Sequence, residues 1–172
     1  GFGSVKLPAV TPDIFRMPAA GPGAPVIGIR PGSLITDHLT LSLPYVQGER
    51  RADPGQDALK VAVLARHGGN RNVGRGFVKG FGFPAGAIAS SVGHDSHNLC
   101  VVGASDTDMA VAVNRLITLG GGFVVVRDGR VLAELALPVA GLMSDRDAAH
   151  VHDRLIELRH AARALGCRLA EP

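Results

Sequence analysis

The sequence has 172 residues, a net charge of +3, and a composition that is 46% hydrophobic but only 4% aromatic. A chain of this length suits one domain that buries roughly two thirds of the surface its unfolded form would expose. The scarcity of aromatic rings and the scattered basic residues argue against a nucleic-acid-binding protein, and no apolar run approaches the ~20 residues of a membrane span.

The first part of the chain predicts an extended segment followed by strands. Residues 1–25 contain five prolines and little periodicity, which is typical of an extended lead-in. Strands are predicted over residues 26–30 and 34–43, and the second alternates apolar and polar side chains as a half-buried strand does. A third alternating strand is predicted over residues 59–66.

Glycine and small apolar residues dominate the middle of the chain. The glycines between residues 69 and 92 indicate close approach of neighbouring backbones, and we interpret Gly74, Gly76 and Gly80 as residues that let strands pack closely. The run NLCVVGAS, residues 98–105, predicts a strand covered on both faces.

Helix and turn signals are clearest in the last third of the chain. Ser105 and Asp108 have the N-cap and N3 spacing of a capping box, so a helix is predicted from there to the glycines at 120–122. The pair Asp128 and Gly129 lies between two β-rich runs and predicts a hairpin with a type I′ turn.

The last helix completes the predicted fold. Ser144 and Asp147 predict a second capping box, which opens a long amphipathic helix that ends at Gly166. Because strands outnumber helices and few helices separate successive strands, the predicted fold class is α+β, a mixed, mostly antiparallel β-sheet covered by at least two helices. We expect residues 1–172 to form a single domain.

Two histidine patterns raise the question of a metal site. His150 and His152 have the His-x-His spacing of many metal-dependent hydrolases, but they lie in the predicted last helix, where side chains two residues apart point about 200° from each other. His94, His97 and Cys100 offer imidazole and thiolate ligands for zinc, but Cys100 belongs to an apolar strand. We therefore predict no metal ligand in this chain.

The glycines of the sequence GRGFVKGFG do not form a phosphate-binding loop. Their spacing differs from G-x-G-x-x-G, and Phe83 and Pro84 follow where a helix should begin. Lys79 lacks the Ser or Thr that follows the lysine of a Walker loop. The spacing therefore argues against a dehydrogenase-like dinucleotide binder.

The strongest candidate for chemistry is the sequence GHDSHN. Asp95 can orient a neighbouring imidazole, and His94 and His97 can exchange protons near neutral pH. Ser96 and Asn98 can donate or accept hydrogen bonds. The same composition suits a capped polar turn between two strands, so the residues alone leave both interpretations open.

A longer stretch resembles a known family. This stretch resembles the C-terminal domain of the microbial adenine deaminases, of the amidohydrolase superfamily. It begins GFVKGFGFPAGAIASSVGHDSHNLCVVGASDTDMAVAVNRL and ends ELALPVAGLMSD. The upstream sequences VIGIRPGSLITDHLTLSLP and ARHGGNRNVGRGFVKGFG are similar to the same family. The resemblance assigns residues 26–166 to an adenine deaminase C-terminal-like domain that follows the lead-in at 1–25.

The resemblance implies hydrolytic deamination of adenine to hypoxanthine and ammonia. In this family the metal ligands lie on a (β/α)₈ barrel, which this sequence lacks, so binuclear manganese or iron is expected in the missing barrel and no cofactor in this chain. The implied partners are adenine, the catalytic barrel as a domain or subunit, and further copies in a homo-oligomer. We expect the chain to be inactive alone, and its two cysteines, which form no disulfide framework, fit a cytoplasmic location.

The resemblance also implies a role for the GHDSHN loop. We expect it to reach the barrel mouth, where His94, Asp95 and His97 act as catalytic residues that contact the purine or the attacking water. Ser96 and Asn98 are expected to bind substrate or to support the loop. The alternative is a stand-alone, non-catalytic binding or interaction module that kept the fold.

Overall fold

The computed structural model describes residues 2–67, 72–94 and 96–170. These residues form ten strands and two α-helices, together with short 3-10 helices at Pro12–Phe15 and Pro54–Gln56. In chain order the elements are β1 Gly23–Ile29, β2 Thr36–Ser42, β3 Tyr45–Val46, β4 Glu49–Arg50, β5 Ala58–Leu64, β6 Val73–Lys79, β7 Ala87–Ser90, β8 Leu99–Gly103, α1 Asp106–Leu119, β9 Gly122–Arg127, β10 Arg130–Ala136 and α2 Ala148–Leu165.

Eight of the strands form one open sheet in the order β10-β9-β7-β8-β5-β6-β1-β2. The β1–β6 pair is parallel and the other pairs of this sheet are antiparallel. Strands β3 and β4 form a separate small sheet. This arrangement confirms the predicted α+β fold with a mixed, mostly antiparallel sheet and two helices, and the described residues form no (β/α)₈ barrel.

The helix α1 covers one face of the sheet. Its residues Met109, Val113 and Leu116 are fully buried in one cluster with alternate strand residues that include Leu64 and Val101. Burying an aliphatic side chain of this size contributes about 1.5–3 kcal/mol. This interface is therefore a major source of the fold's stability.

The lead-in packs on the same side of the sheet as α1. Asn114 of α1 accepts a hydrogen bond from the backbone N–H of Val10 at 2.7 Å and donates one to the carbonyl of Val10 at 2.9 Å. Phe15, in the first 3-10 helix, is only 1% exposed and belongs to the α1 cluster. The segment predicted as an extended lead-in is thus held against the domain, and its last three residues belong to β1.

The helix α2 covers only part of the opposite face. Leu158, Ala162 and Leu165 are buried in a cluster with Val125 and Leu135 of the β9–β10 hairpin. The main contacts of α2 are with β9 and β10 at one edge of the sheet. In the described structure, α2 therefore does not cover the strands farther from this edge on this side of the sheet.

The start of α1 and the β9–β10 hairpin confirm the predicted local signals. Ser105 is the N-cap of α1, and its Oγ accepts a hydrogen bond from the backbone N–H of Asp108 at 3.4 Å. The hairpin turn has φ values of 51° at Asp128 and 74° at Gly129, as a type I′ turn requires. The backbone N–H groups of these two turn residues donate to the Asp108 carboxylate at 3.2 and 2.8 Å. Asp108 therefore joins the helix to the hairpin.

The predicted capping box at the start of α2 is wrong, although the helix and its end are confirmed. Asp147 is itself the N-cap, and its carboxylate accepts a hydrogen bond from the backbone N–H of His150 at 2.8 Å. Ser144 accepts from the backbone N–H of Arg146 at 3.0 Å in the preceding turn. Aspartate caps a helix as well as serine does, so spacing alone cannot choose between them. The helix ends at Gly166, which has a φ of 107°.

Candidate functional site

The GHDSHN sequence lies in the connection between β7 and β8. Ser90 at the end of β7 pairs with Cys100 of β8, so residues 91–98 leave the sheet at one end. Strand β5 finishes at the same end, where Leu64 pairs with the first residue of β8. We call residues 93–98 the histidine loop and this end of the sheet the loop end.

The described residues of the histidine loop differ in exposure. His94 and Ser96 are exposed, whereas His97 and Asn98 are half-buried. Asp95 lies outside the described residues. Its role as a catalytic residue therefore stays a prediction, as do the roles of the other four.

His97 has an unusual backbone conformation and an unusual ring environment. Its φ is 46°, in the left-handed region that few residues other than glycine adopt. Its backbone N–H donates to the carbonyl of Gly93 at 3.2 Å, and that of Ser96 donates to the carbonyl of His94 at 2.9 Å, so backbone bonds close the turn. The Nδ1 atom of His97 is buried and has no hydrogen-bond partner among the described residues. Such an atom costs about 1–3 kcal/mol, which favours a partner supplied from elsewhere.

Two buried polar residues hold the loop end together, and sequence reasoning missed both. The Oγ of Ser91, a fully buried residue, donates to the carbonyl of Gly141 at 2.6 Å and accepts from the backbone N–H of Gly122 at 2.7 Å. Arg66 is 5% exposed and donates from Nη1 to the carbonyl of Ala140 at 2.8 Å. Both residues fix the segment that follows β10. A single serine or arginine after a strand carries no local sign of burial, so the sequence offered no signal for either.

Three exposed apolar side chains lie at the loop end. Phe2 is 71% exposed, Met143 58% and Val92 42%. Val92 directly precedes the loop, and both Phe2 and Met143 form bridges to Val139, in the segment that Ser91 contacts. Exposed apolar side chains that form a contiguous patch mark an interaction surface. The loop end is therefore a candidate contact surface for another domain or subunit.

The described residues do not fit a metal centre. They contain no group of three or more His, Cys, Asp or Glu side chains that could hold a metal ion. Cys100 lies in β8, where burial raises the pKa of its thiol and so disfavours the thiolate that binds zinc. His150 and His152 both lie in α2, as predicted, and helical geometry directs their side chains apart.

An ion pair between a buried lysine and a half-buried aspartate, at the opposite end of the sheet, is a second polar cluster that the sequence did not reveal. Lys60 is 5% exposed, and its Nζ donates to both carboxylate oxygens of Asp106 at 2.7 and 3.0 Å and to the carbonyl of Phe15 at 2.8 Å. These contacts join β5, the start of α1 and the lead-in. The lysine therefore serves the packing of three elements rather than a ligand.

The fold and the loop end together define a class of protein. The chain is an α+β domain with a polar loop and exposed apolar side chains at one end of its sheet, a combination that suits contact with another part of a protein. Within the described ranges, neither α1 nor α2 combines the length and the apolar character needed to cross a membrane.

Comparison with known proteins identifies the family. Residues 33–172 match the adenine deaminase C-terminal domain. The chain is 61% identical over 173 residues to the adenine deaminase of Methylobacterium nodulans, 58% over 173 residues to that of Gluconobacter oxydans, and 54% over 172 residues to adenine deaminase 1 of Rhizobium johnstonii. Each match covers 100% of this chain but only 30% or 31% of the relative. The chain belongs to the adenine deaminase C-terminal domain family, which confirms the resemblance seen in its sequence. These relatives lend no support to a stand-alone module.

Proposed function

We propose that this chain acts as the C-terminal part of an adenine deaminase and contributes to the hydrolysis of adenine to hypoxanthine and ammonia. Relatives that match the chain over its whole length are adenine deaminases. The chain spans about 30% of their length, so its contribution is made together with a larger catalytic part.

The reaction needs groups that accept and supply protons. The oxygen of a water molecule forms a bond to the ring carbon that carries the amino group, and the bond from that carbon to the amino nitrogen breaks. The water gives up two protons: the departing nitrogen gains one and leaves as ammonia, and the other ends on the ring nitrogen beside the new carbonyl of hypoxanthine. General acid–base groups promote these transfers. Imidazole changes its charge near neutral pH, so His94 and His97 suit this role or contact with the purine edge. Asp95 would orient an imidazole.

The metal chemistry lies outside this chain in our proposal. A binuclear manganese or iron centre in the barrel would supply the activated hydroxide when it is bound. The described residues do not fit such a centre, so none of the roles given to the histidine loop passes through it. The loop's part is to contact the purine and to hold or move protons.

The environment of His97 is the observation that carries this proposal. A half-buried imidazole with a buried Nδ1 that lacks a partner among the described residues is suited to receive a group from a substrate or a facing domain. The exposed Phe2, Val92 and Met143 at the loop end would be buried by the same approach. A single domain packed against the loop end would therefore give Nδ1 of His97 a partner and bury the exposed apolar side chains.

The test uses the full-length protein that carries this chain. His97→Ala and Asp95→Ala should each lower kcat for adenine by about tenfold or more. The melting temperature should hardly change, because the described hydrogen bonds that close the loop are made by backbone groups. His152→Ala, at an exposed histidine of α2, is the control and should keep the wild-type kcat. Wild-type rates in both loop variants would overturn the proposal.

A further inference from the structure

The side of the sheet opposite α1 has an uncovered area that adjoins the histidine loop. Helix α2 packs mainly on β9 and β10 at one edge and, in the described structure, leaves parts of β1, β5, β6 and β8 open. We call this area the open face. Its residues are Pro25, Ile27, Val63, Gly74, Gly76 and Cys100.

The strand register places these residues side by side. Val63 pairs with Gly74 of β6 on one side and with Cys100 of β8 on the other. On the side of β6 that faces away from β5, Ile27 of β1 pairs with Val78. Val63 is 39% exposed and Ile27 is 47% exposed. These residues are apolar or small and carry no charge, and the polar side chains of His38 and Thr40 border them on β2. The apolar part of this surface suits an apolar partner better than water.

Two glycines of β6 have no role in the described chain that requires glycine. A Cβ atom at Gly74 would lie 3.9 Å from its nearest non-adjacent atom and one at Gly76 would lie 3.7 Å away, and neither residue has a positive φ. The interpretation that they let strands pack closely is therefore wrong for these two. It is right for Gly80, where a Cβ would lie 2.9 Å from the Cβ of Ile29.

The cost of these glycines points to an approaching surface. Glycine inside a strand is destabilising relative to alanine, because it loses more conformational freedom on folding. Glycine in a strand often marks a place where a ligand or another backbone comes close. Gly74 and Gly76 lie in the middle of the open face, where such an approach has room.

We propose that the open face is the docking surface for the part of the same full-length adenine deaminase that lies outside this chain. This inference rests on the proposed function and names the surface on which the catalytic part sits. The chain spans about 30% of its relatives' length, so a larger body has to be placed against it.

The position of the open face favours this occupant. The pair Ser90 and Cys100 is the last one before the histidine loop, so the open face runs directly to the loop. Phe2 and Met143 lie at the same end of the sheet. A body seated on the open face would bring its own surface up to His94 and His97.

Changes in the reactivity of the Cys100 thiol between variants report whether the open face is covered, because burial within the chain itself already raises the pKa of this thiol. Cys100 is half-buried in the described chain, and Cys167 is buried at the end of α2 and reports whether the domain is folded. In the full-length protein, maleimide treatment followed by peptide mass spectrometry gives the modification rate at each cysteine separately. We expect slow modification of both in the wild-type protein.

A charge on the open face should expose Cys100. Val63→Asp places a carboxylate beside it, and Val131→Asp is the matched control because these valines are 39% and 38% exposed. Val63→Asp should raise the modification rate of Cys100 about tenfold, while Val131→Asp should not change it, and Cys167 should stay slow in both. A neighbouring carboxylate disfavours the thiolate, so its direct effect would be to slow the reaction.

A second variant separates docking from folding. Gly74→Val adds a side chain where the described chain has room, and valine favours strands more than glycine does. The domain should stay folded, with slow Cys167 modification, while Cys100 reacts about tenfold faster because the approaching surface is blocked. Wild-type protection of Cys100 in Gly74→Val would overturn the proposal.

Two further outcomes are distinguished on the same samples. Coverage by a second copy would make Cys100 protection fall on dilution, whereas coverage by the same polypeptide is independent of concentration, so a dilution effect would overturn the proposal.

Adenine deamination by the wild-type protein tests the proposed function separately. Faster Cys100 modification in both variants, without deamination by the wild-type protein, supports docking and contradicts the function. Wild-type deamination with unchanged Cys100 modification in both variants does the reverse.

Discussion

Asp108 shows how one buried carboxylate can connect two elements. It is 5% exposed in the first turn of α1, and its oxygens accept hydrogen bonds from the backbone N–H groups of Asp128 and Gly129. In a capping box, the acidic residue at N3 returns to the N-cap of its own helix. Here the carboxylate accepts from the backbone N–H groups of a turn that comes 20 residues later in the chain, so it stabilises a contact between two distant elements.

Removing this carboxylate should destabilise the chain. We expect Asp108→Ala to lower the free energy of unfolding by about 1–3 kcal/mol, because two backbone N–H groups lose a buried acceptor. Asp108→Asn keeps one acceptor oxygen and should cost less. Asp145→Ala, at an exposed aspartate, is the control. Urea unfolding followed by circular dichroism measures the differences, and equal midpoints in all three variants would show that the turn does not need this contact.

At the scale of elements, the start of α2 depends on one residue. Asp147 accepts from the backbone N–H of His150 and precedes the first helical residue, whereas Ser144 acts in the turn before it. An N-cap carboxylate also interacts favourably with the positive end of the helix dipole. The packing of α2 on β9 and β10 therefore begins from a helix end that Asp147 stabilises.

The two capping candidates should respond differently to substitution. Asp147→Ala should lower the free energy of unfolding by about 1 kcal/mol, the usual cost of losing an N-cap. Ser144→Ala should have a clearly smaller effect, because its hydroxyl accepts only from Arg146 in the turn. Thermal unfolding of both variants under one condition gives the comparison. A larger loss at Ser144 would restore the capping box predicted from the sequence.

At the scale of the whole molecule, the sheet is covered unequally. Helix α1 and the lead-in bury one face, whereas α2 lies mainly over β9 and β10 on the other. The histidine loop and three exposed apolar side chains lie at one end of this sheet. These features suit a chain that works as part of a larger enzyme, and the predicted homo-oligomer stays a prediction.

The chain by itself should not deaminate adenine. We expect no ammonia above the background rate when the purified 172-residue chain is incubated with adenine, with or without added manganese or ferrous iron. The physical reason is that its described residues do not fit a metal centre that could activate water. An assay of ammonia release checks this directly, with a full-length relative as the positive control. Release by the chain alone would show that it holds a complete active site.

Several local features could be predicted because they depend on a few neighbouring residues. The alternation in β2 correctly identified a strand with His38 and Thr40 on its exposed side. The turn at Asp128 and Gly129 followed from the positive φ values that these residues tolerate. For the candidate site, the sequence identified the histidine loop, but it could not show that Nδ1 of His97 would be buried.

The sequence by itself determined the approximate positions of β1, β2, β5, β8, the β9–β10 hairpin and most helix ends, because the responsible forces act within about four residues along the chain. It predicted no strand at β6 or β7. Only the tertiary structure decided that Lys60 would be buried beside Asp106, that Arg66 and Ser91 would fix the loop end, and that one area of the sheet would stay open. Alternation shows that the two sides of a strand differ, but it does not state which element covers either side. That choice depends on strand order and on contacts between distant residues, which no short pattern encodes.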